Sequence, residues 1–285
     1  MANTPSTIFS ISSTHNNDNM PADDIDASKH NQTPNHHDHD QDQLAAPSHY
    51  QKIIAEVLGT YIFVFAGCGA ALVDRENTLA AVLVPALALM SMIYAVGHVS
   101  GAHFNPAVTA AFAVARRLPL IQVPMYVLSQ LFGSTLASLT LRLLFRHDQR
   151  DFLPMLTQYS WSSSTSDIEA LVWEFIFTFI LTFTIFGVAS DHRANNALCG
   201  VAIGGTLLFN ALLGGSITGA SMNPARSLGP ALAIGVYKNQ WVYVVGPLLG
   251  GVVASLVYSL LRPTQSGKQH SATNSVYNDL YVSQV

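Results

Sequence analysis

Charged side chains make up only 11% of this 285-residue chain, where an ordinary soluble domain carries about 25%. A water-facing surface cannot be covered at that ratio, so most of the chain is expected to lie in lipid. Cysteine is nearly missing as well. Cys68 and Cys199 stand inside apolar runs, which excludes a disulfide-stapled secreted scaffold and a multi-cysteine zinc site. Lys and Arg form no dense face, so nucleic acid is not an expected partner. No nucleophile and base pair up by motif, and the reading is a non-enzyme without cofactor or metal. The first residues also lack a basic stretch leading into a short apolar core, which argues against a cleavable signal peptide.

What charge there is gathers at one end. Residues 1–50 hold seven Asp, one Lys and six of the eleven His, a formal charge of −6, while the remainder carries +2 toward the overall −4. This segment reads as a polar, disordered tail. Its His/Asp stretch from His36 to Asp42 has the ligand types for a divalent ion but no frame to space them. Asn31-Gln32-Thr33 has the form of a glycosylation acceptor, used only if the tail faces an oxidising lumen. A second tail, 263–285, follows an apolar body at 51–262.

Within that body, six apolar stretches have about the 20 residues needed to cross a bilayer core. They lie near 53–73, 79–99, 122–145, 168–190, 197–215 and 241–262. Two shorter apolar segments begin at Asn105 and Asn223 and cannot span. An even number of spans puts both termini on one side. Lys29, Lys52, Arg116, Arg117, Arg193, Arg262 and Lys268 fall there, against Arg75, Arg142, Arg146, Arg150 and Lys238 opposite. That excess, with the Arg116-Arg117 pair in a short loop, predicts cytoplasmic termini and an unmodified Asn31.

Sliding the sequence against itself uncovers a repeat. Gly97 to Thr109 (GHVSGAHFNPAVT) aligns with Gly215 to Ser227 (GSITGASMNPARS) at a shift of 118, and the same shift carries Glu56 onto Glu174. Gln130 to Gly133 and Pro247 to Gly250 then match at a shift of 117. The repeats run over about 51–145 and 168–262. Three spans per half is an odd number, so the halves sit inverted about an axis in the membrane plane.

The repeated motif is Asn105-Pro106-Ala107 and Asn223-Pro224-Ala225. Asn is a preferred N-cap, and Pro suits the first helical position because its missing N–H would have had no partner there. Each motif therefore starts a short helix. Inverted halves bring the two starts together near the midplane, each carrying about half a positive charge. Such a pair opposes cations and protons, while the Asn amides can donate to a passing neutral molecule.

Three further features stand out. Ionisable groups inside spans carry function by default; the symmetric placement of Glu56 and Glu174, with no chain of further acids to form a relay, favours braces accepting hydrogen bonds from loop backbones. His98 and His103 read as packing and hydrogen-bonding residues rather than a pH gate. Arg226 breaks the symmetry, its counterpart being Val108, and its charge is expected to face an aqueous pore.

These residues resemble the signature of the aquaporin, or major intrinsic protein, family over about residues 50–262. The segments at Gly97–Thr109 and Gly219–Ala231 are most similar to plant nodulin-26-like intrinsic proteins. The resemblance implies an all-α membrane protein of six tilted helices and two re-entrant half-helices, a homotetramer with one pore per subunit, and bracing roles for Glu56 and Glu174. It also implies a constriction shared by Arg226, Pro85, Ala211 and Ala220, which lie 20, 12 and 3 residues before the respective motif Asn. Water-selective members have a bulky aromatic and a His at the first two of these places; this chain has neither.

A wide, half-apolar constriction is therefore expected to pass water and small uncharged solutes: glycerol, urea, or undissociated boric, arsenous or silicic acid. Pro85 departs from the subgroup pattern and removes a helix N–H, so that the Ala81 carbonyl either lines the pore or is left over at a kink. With Ala220 before the motif, mercury is expected to act little at that position. Ser266 and Ser271 are candidate phosphorylation sites for a kinase, and the expected location is the plasma membrane. A mainly water-selective channel and an ion-coupled secondary transporter remain the competing readings.

Overall fold

The computed structural model describes residues 46–73, 78–145, 149–159, 164–191, 193, 194 and 196–262. Asn31, the His/Asp stretch, Ser266, Ser271 and the tail 263–285 lie outside the described residues, as does all but the end of the segment 1–50. Among the described residues the ordered elements are helical. The chain runs through α1 (His49–Val73), α2 (Thr78–Ser100), α3 (Pro106–Val114), α4 (Val123–Phe145), α5 (Asp167–Ala189), α6 (Cys199–Gly214), α7 (Pro224–Ile234) and α8 (Val242–Leu260). Six of these, all but α3 and α7, are long and apolar enough to cross a membrane.

Local chemistry sets several boundaries. Ser166 and Glu169 form a reciprocal capping box at the start of α5, satisfying two N–H groups that the helix cannot pair itself. Gly235 closes α7 in the left-handed conformation, φ 81°, which costs a glycine little. Short 3-10 helices at Gln149–Met155 and Thr157–Tyr159 lie in the connection between α4 and α5.

The repeat is visible in the packing. α1 rests on α2 and α4, and α5 rests on α6 and α8; α4 carries α7, and α8 carries α3. The halves also meet where α2 lies against α6. Each short helix thus packs on the last helix of the opposite half. Two glycines let helix backbones approach closely: a Cβ on Gly133 would sit 2.4 Å from the Val57 carbonyl oxygen, and one on Gly250 2.3 Å from that of Phe175. Small residues of this kind are how helices approach in lipid, where apolar burial gives no drive.

Outward, α4 presents Leu128, Phe132, Leu136, Leu139 and Leu143 in an exposed row. In water such a stripe would aggregate; against lipid or another apolar helix it costs nothing. At the end face where α1 begins and α8 ends, Arg117 and Arg262 both donate to the Ser190 carbonyl, at 2.8 and 3.0 Å. They neutralise the negative end of α5. Beside them Arg193 forks onto both carboxylate oxygens of Asp191, at 2.9 and 2.6 Å, and Tyr258 adds its hydroxyl at 2.9 Å. The Arg193 hydrogen bonds hold the Asp191 carboxyl well below the usual carboxylate range.

Candidate functional site

The two motif loops fold alike. Gly101 and Gly219 take φ of 87° and 85°; Ala102 and Ala220, and then Phe104 and Met222, also adopt positive φ. Non-glycine residues there are strained and persist only where the surroundings fix them. Asn105 and Asn223 then cap α3 and α7, accepting from Ala107 N at 2.8 Å and Ala225 N at 2.9 Å, with Pro106 and Pro224 in the first turn.

Each Asn amide also donates across the repeat axis: Asn105 Nδ2 to the Met222 carbonyl and Asn223 Nδ2 to the Phe104 carbonyl, both at 2.8 Å. One N–H of each amide is thereby committed to the opposite loop, and the second is not used in the cross-tie. The sequence pattern did not disclose this cross-bonding, because a shift of 118 pairs equivalent residues and says nothing of which residues touch.

Glu56 and Glu174 are fully buried and turned toward these loops. Glu56 accepts from Ser100 Oγ at 2.7 Å, His103 N at 3.0 Å, Phe104 N at 2.8 Å and Gln130 Nε2 at 2.8 Å. Glu174 accepts from the equivalents Thr218 Oγ1 at 2.8 Å, Ser221 N at 2.9 Å and Met222 N at 2.8 Å. The exception is Gln130, whose counterpart in the second half is Pro247. A buried carboxylate costs several kcal/mol unless its lone pairs are filled, and here backbone donors fill them. Tyr126 and Tyr243 add matching hydroxyl bonds to the Ser100 and Thr218 carbonyls. His103 bonds Thr109 Oγ1 at 3.1 Å and packs on Phe112 and Tyr126, whereas His98 is exposed on α2.

Two cavities meet along the bundle. One, of about 40 Å³, is lined by Asn105, Asn223 and apolar side chains including Leu89, Ile93 and Leu181. The other, of about 70 Å³, is lined by Pro85, Ala211, Ala220 and Arg226 together with Ala81, Val82 and Cys68. Phe63, Leu207 and Ser221 line both. The four residues expected at a constriction are thus brought together, and Ala81 stands beside Pro85 on the same wall.

Arg226 reaches this cavity with its NH1 donating to the Met155 carbonyl at 2.9 Å. The Cys68 thiol also points to that carbonyl, at 3.8 Å. Beneath it, Thr157 Oγ1 donates to Ser227 Oγ at 2.7 Å, and Ser227 contacts Ser221 Oγ. Met155, Thr157 and Cys68 were not legible as site residues. Cys68 on the wall puts a thiol in the same cavity as Ala220, a second position for mercury beside the one before the motif.

A six-span helical membrane protein with paired half-helices around an axial pathway is a channel by architecture. The family described as Major intrinsic protein matches residues 43–258. Aquaporin NIP1-1 of Oryza sativa subsp. japonica is 52% identical over 219 residues, 75% of both chains. Nodulin-26 of Glycine max is 48% identical over 229 residues, 78% of this chain and 82% of its own. Among solved structures, the aquaglyceroporin of Plasmodium falciparum superposes with a TM-score of 0.67 at 25% identity, covering 74% of this chain and 96% of the other.

The chain belongs to the major intrinsic protein family, in its nodulin-26-like aquaporin subgroup. It is a multi-pass membrane channel for water and small solutes, and not an enzyme.

Proposed function

We propose that this channel is a wide-bore one, passing glycerol-like polyols and comparable uncharged molecules together with water, and excluding ions and protons. The carrying observation is the shared wall of Pro85, Ala211, Ala220 and Arg226. Three of the four are small and offer no side-chain donor. Arg226 supplies hydrogen bonds and repels cations from the remaining side. The only aromatic ring in that lining is Phe63, which sits where the two cavities join. One face for hydroxyls and one for carbon suits a polyol. The aquaglyceroporin likeness supports the same reading, and urea and undissociated boric, arsenous or silicic acid satisfy the same requirements.

Asn105 and Asn223 serve as the midplane donors in this scheme, backed by the facing N-termini of α3 and α7 as a barrier to cations. Glu56 and Glu174 hold the loops. A homotetramer belongs to the same proposal, with the exposed stripe on α4 as one apolar face that a neighbouring subunit or lipid could cover, and the excess of basic residues at the face shared by α1 and α8 supports cytoplasmic termini. Plasma-membrane placement and kinase action on Ser266 and Ser271 belong to the same proposal. Stopped-flow light scattering on vesicles holding the purified protein tests it: glycerol should equilibrate faster than in protein-free lipid, and equal rates would overturn the wide-bore reading. Uptake unchanged by proton or sodium gradients separates the channel from a coupled transporter.

A further inference from the structure

A third cavity, of about 40 Å³, opens at the end face where α1 begins. Its polar lining is Lys52, Ser100, His103, Arg117, Gln122 and Tyr126, and it contains no carboxylate. Three of these are already occupied: Ser100 Oγ donates to Glu56, Tyr126 donates to the Ser100 carbonyl, and His103 bonds Thr109. The other three keep polar atoms that no bond among the described residues uses.

Lys52 is 9% exposed and Gln122 is 9% exposed. The Lys52 ammonium has no ion-pair or hydrogen-bond partner among the described residues. Gln122 Oε1 is a buried acceptor without a partner, which the Lys52 ammonium could fill and a phosphate oxygen could not; the donor Gln122 offers is its Nε2, which makes no hydrogen bond among the described residues. Arg117 commits only NH1, to Ser190. Glu56, one helical turn from Lys52, makes no hydrogen bond or ion pair to it; its oxygens accept from four other donors. Two cationic side chains and a carboxamide therefore converge on a space whose lining holds no carboxylate among the described residues; Asp191 acts on Arg117 from outside that lining, and Lys52 has no such counter-charge there. A buried charge without a counter-charge costs several kcal/mol, and a cation, a guanidinium fork and an amide donor are the groups that bind phosphate oxygens.

We propose that this cavity is a phosphate site, with Lys52, Arg117 and Gln122 as its donors. The phosphate is either free in solution or the headgroup of an anionic lipid. Tyr50, Leu120 and Ile121, which flank the cavity in sequence, are strongly exposed apolar residues, at 79%, 75% and 87%, as befits the edge of a bilayer. The cavity shares Gly101, His103 and Phe112 with the pathway past Asn105, so a bound phosphate sits beside the channel mouth.

The test is a thermal unfolding series on the purified full chain in detergent, independent of any solute flux. Inorganic phosphate is titrated at constant ionic strength against chloride, and short-chain phosphatidic acid against phosphatidylcholine. A saturable rise of the midpoint with inorganic phosphate assigns the free ion; a rise with phosphatidic acid alone assigns the lipid headgroup. In either case Lys52→Met should raise the apparent Kd ~10-fold or more, as loss of a charged hydrogen bond does. Gln122→Leu, which removes no charge, should raise it less and serves if Lys52→Met fails to accumulate. No rise beyond the chloride and phosphatidylcholine controls, or a rise undiminished in both variants, overturns the proposal.

Discussion

Asn105 donates to the carbonyl of Met222 in the other half of the molecule, at 2.8 Å. The return bond from Asn223 to Phe104 has the same length. These two bonds tie the starts of α3 and α7 together where their positive ends would otherwise repel. An Asn at this place is thus a helix cap and a cross-tie at once.

Asn105→Ala should cost about 1.5–5 kcal/mol, combining a lost cap of roughly 0.5–2 with a buried carbonyl left unpaired at roughly 1–3. Asn105→Asp keeps the cap acceptor but cannot donate to Met222, so it should recover only the smaller share. Denaturant unfolding of the two variants in detergent measures the difference. Equal stability of Asn105→Ala and the parent would dismiss the cross-tie.

Glu56→Gln and Glu174→Gln each present an amide N–H to backbone donors that previously met an oxygen. Both should lower the folded yield, and Glu56→Gln more so, because Glu56 accepts four hydrogen bonds and Glu174 three. Fluorescence-detected gel filtration ranks them. The reverse order would mean that Gln130 contributes nothing to its carboxylate.

Ala211→His places a ring opposite Arg226 in a cavity of about 70 Å³. Glycerol permeability should fall ~10-fold or more while water permeability changes far less, since water is the smaller permeant. Parallel osmotic and glycerol assays on the same vesicles decide the matter.

Cys68 lines that cavity and shares the Met155 carbonyl with Arg226. An organomercurial should slow solute flux, and Cys68→Ala should abolish the effect whereas Cys199→Ala should not. Sensitivity retained in Cys68→Ala would show that the thiol does not reach the pathway.

Asp191 gives a pH signature. Its carboxyl is held low by Arg193, so its contribution to stability is complete above the ordinary carboxylate pKa of ~4 and is lost as pH falls through the lower folded value. The thermal midpoint should be flat from neutral pH down to ~5 and drop below ~4. Asp191→Asn should start lower and lose part of that acid drop.

The spans, the repeat and the inverted arrangement were legible because apolar length and periodic self-similarity are properties of the string itself. Glu56 could be matched to Glu174, and Ser100–Phe104 to Thr218–Met222, through one constant shift. Other features had no such signal. Met155 acts through a backbone carbonyl, which any residue carries, so no side chain marked it as the partner of Arg226. Cys68 looked like an ordinary apolar-run residue, since a helix that is hydrophobic all round does not announce which side faces a pathway. Pro85 was conspicuous, yet its wall became apparent only with Ala81 and Val82 beside it.

The crossing of the short helices sets an order of assembly. α3 is made early but rests on α8, whose first residue follows it by more than a hundred positions, and α7 rests on α4. Until Val242–Leu260 has entered the bilayer, α3 has no floor and the Asn105 amide has to wait for Met222. The first half therefore cannot mature by itself during synthesis. A chain cut short before α8 should be left with an unfinished loop inside the membrane, a mark by which quality control could tell it from the whole.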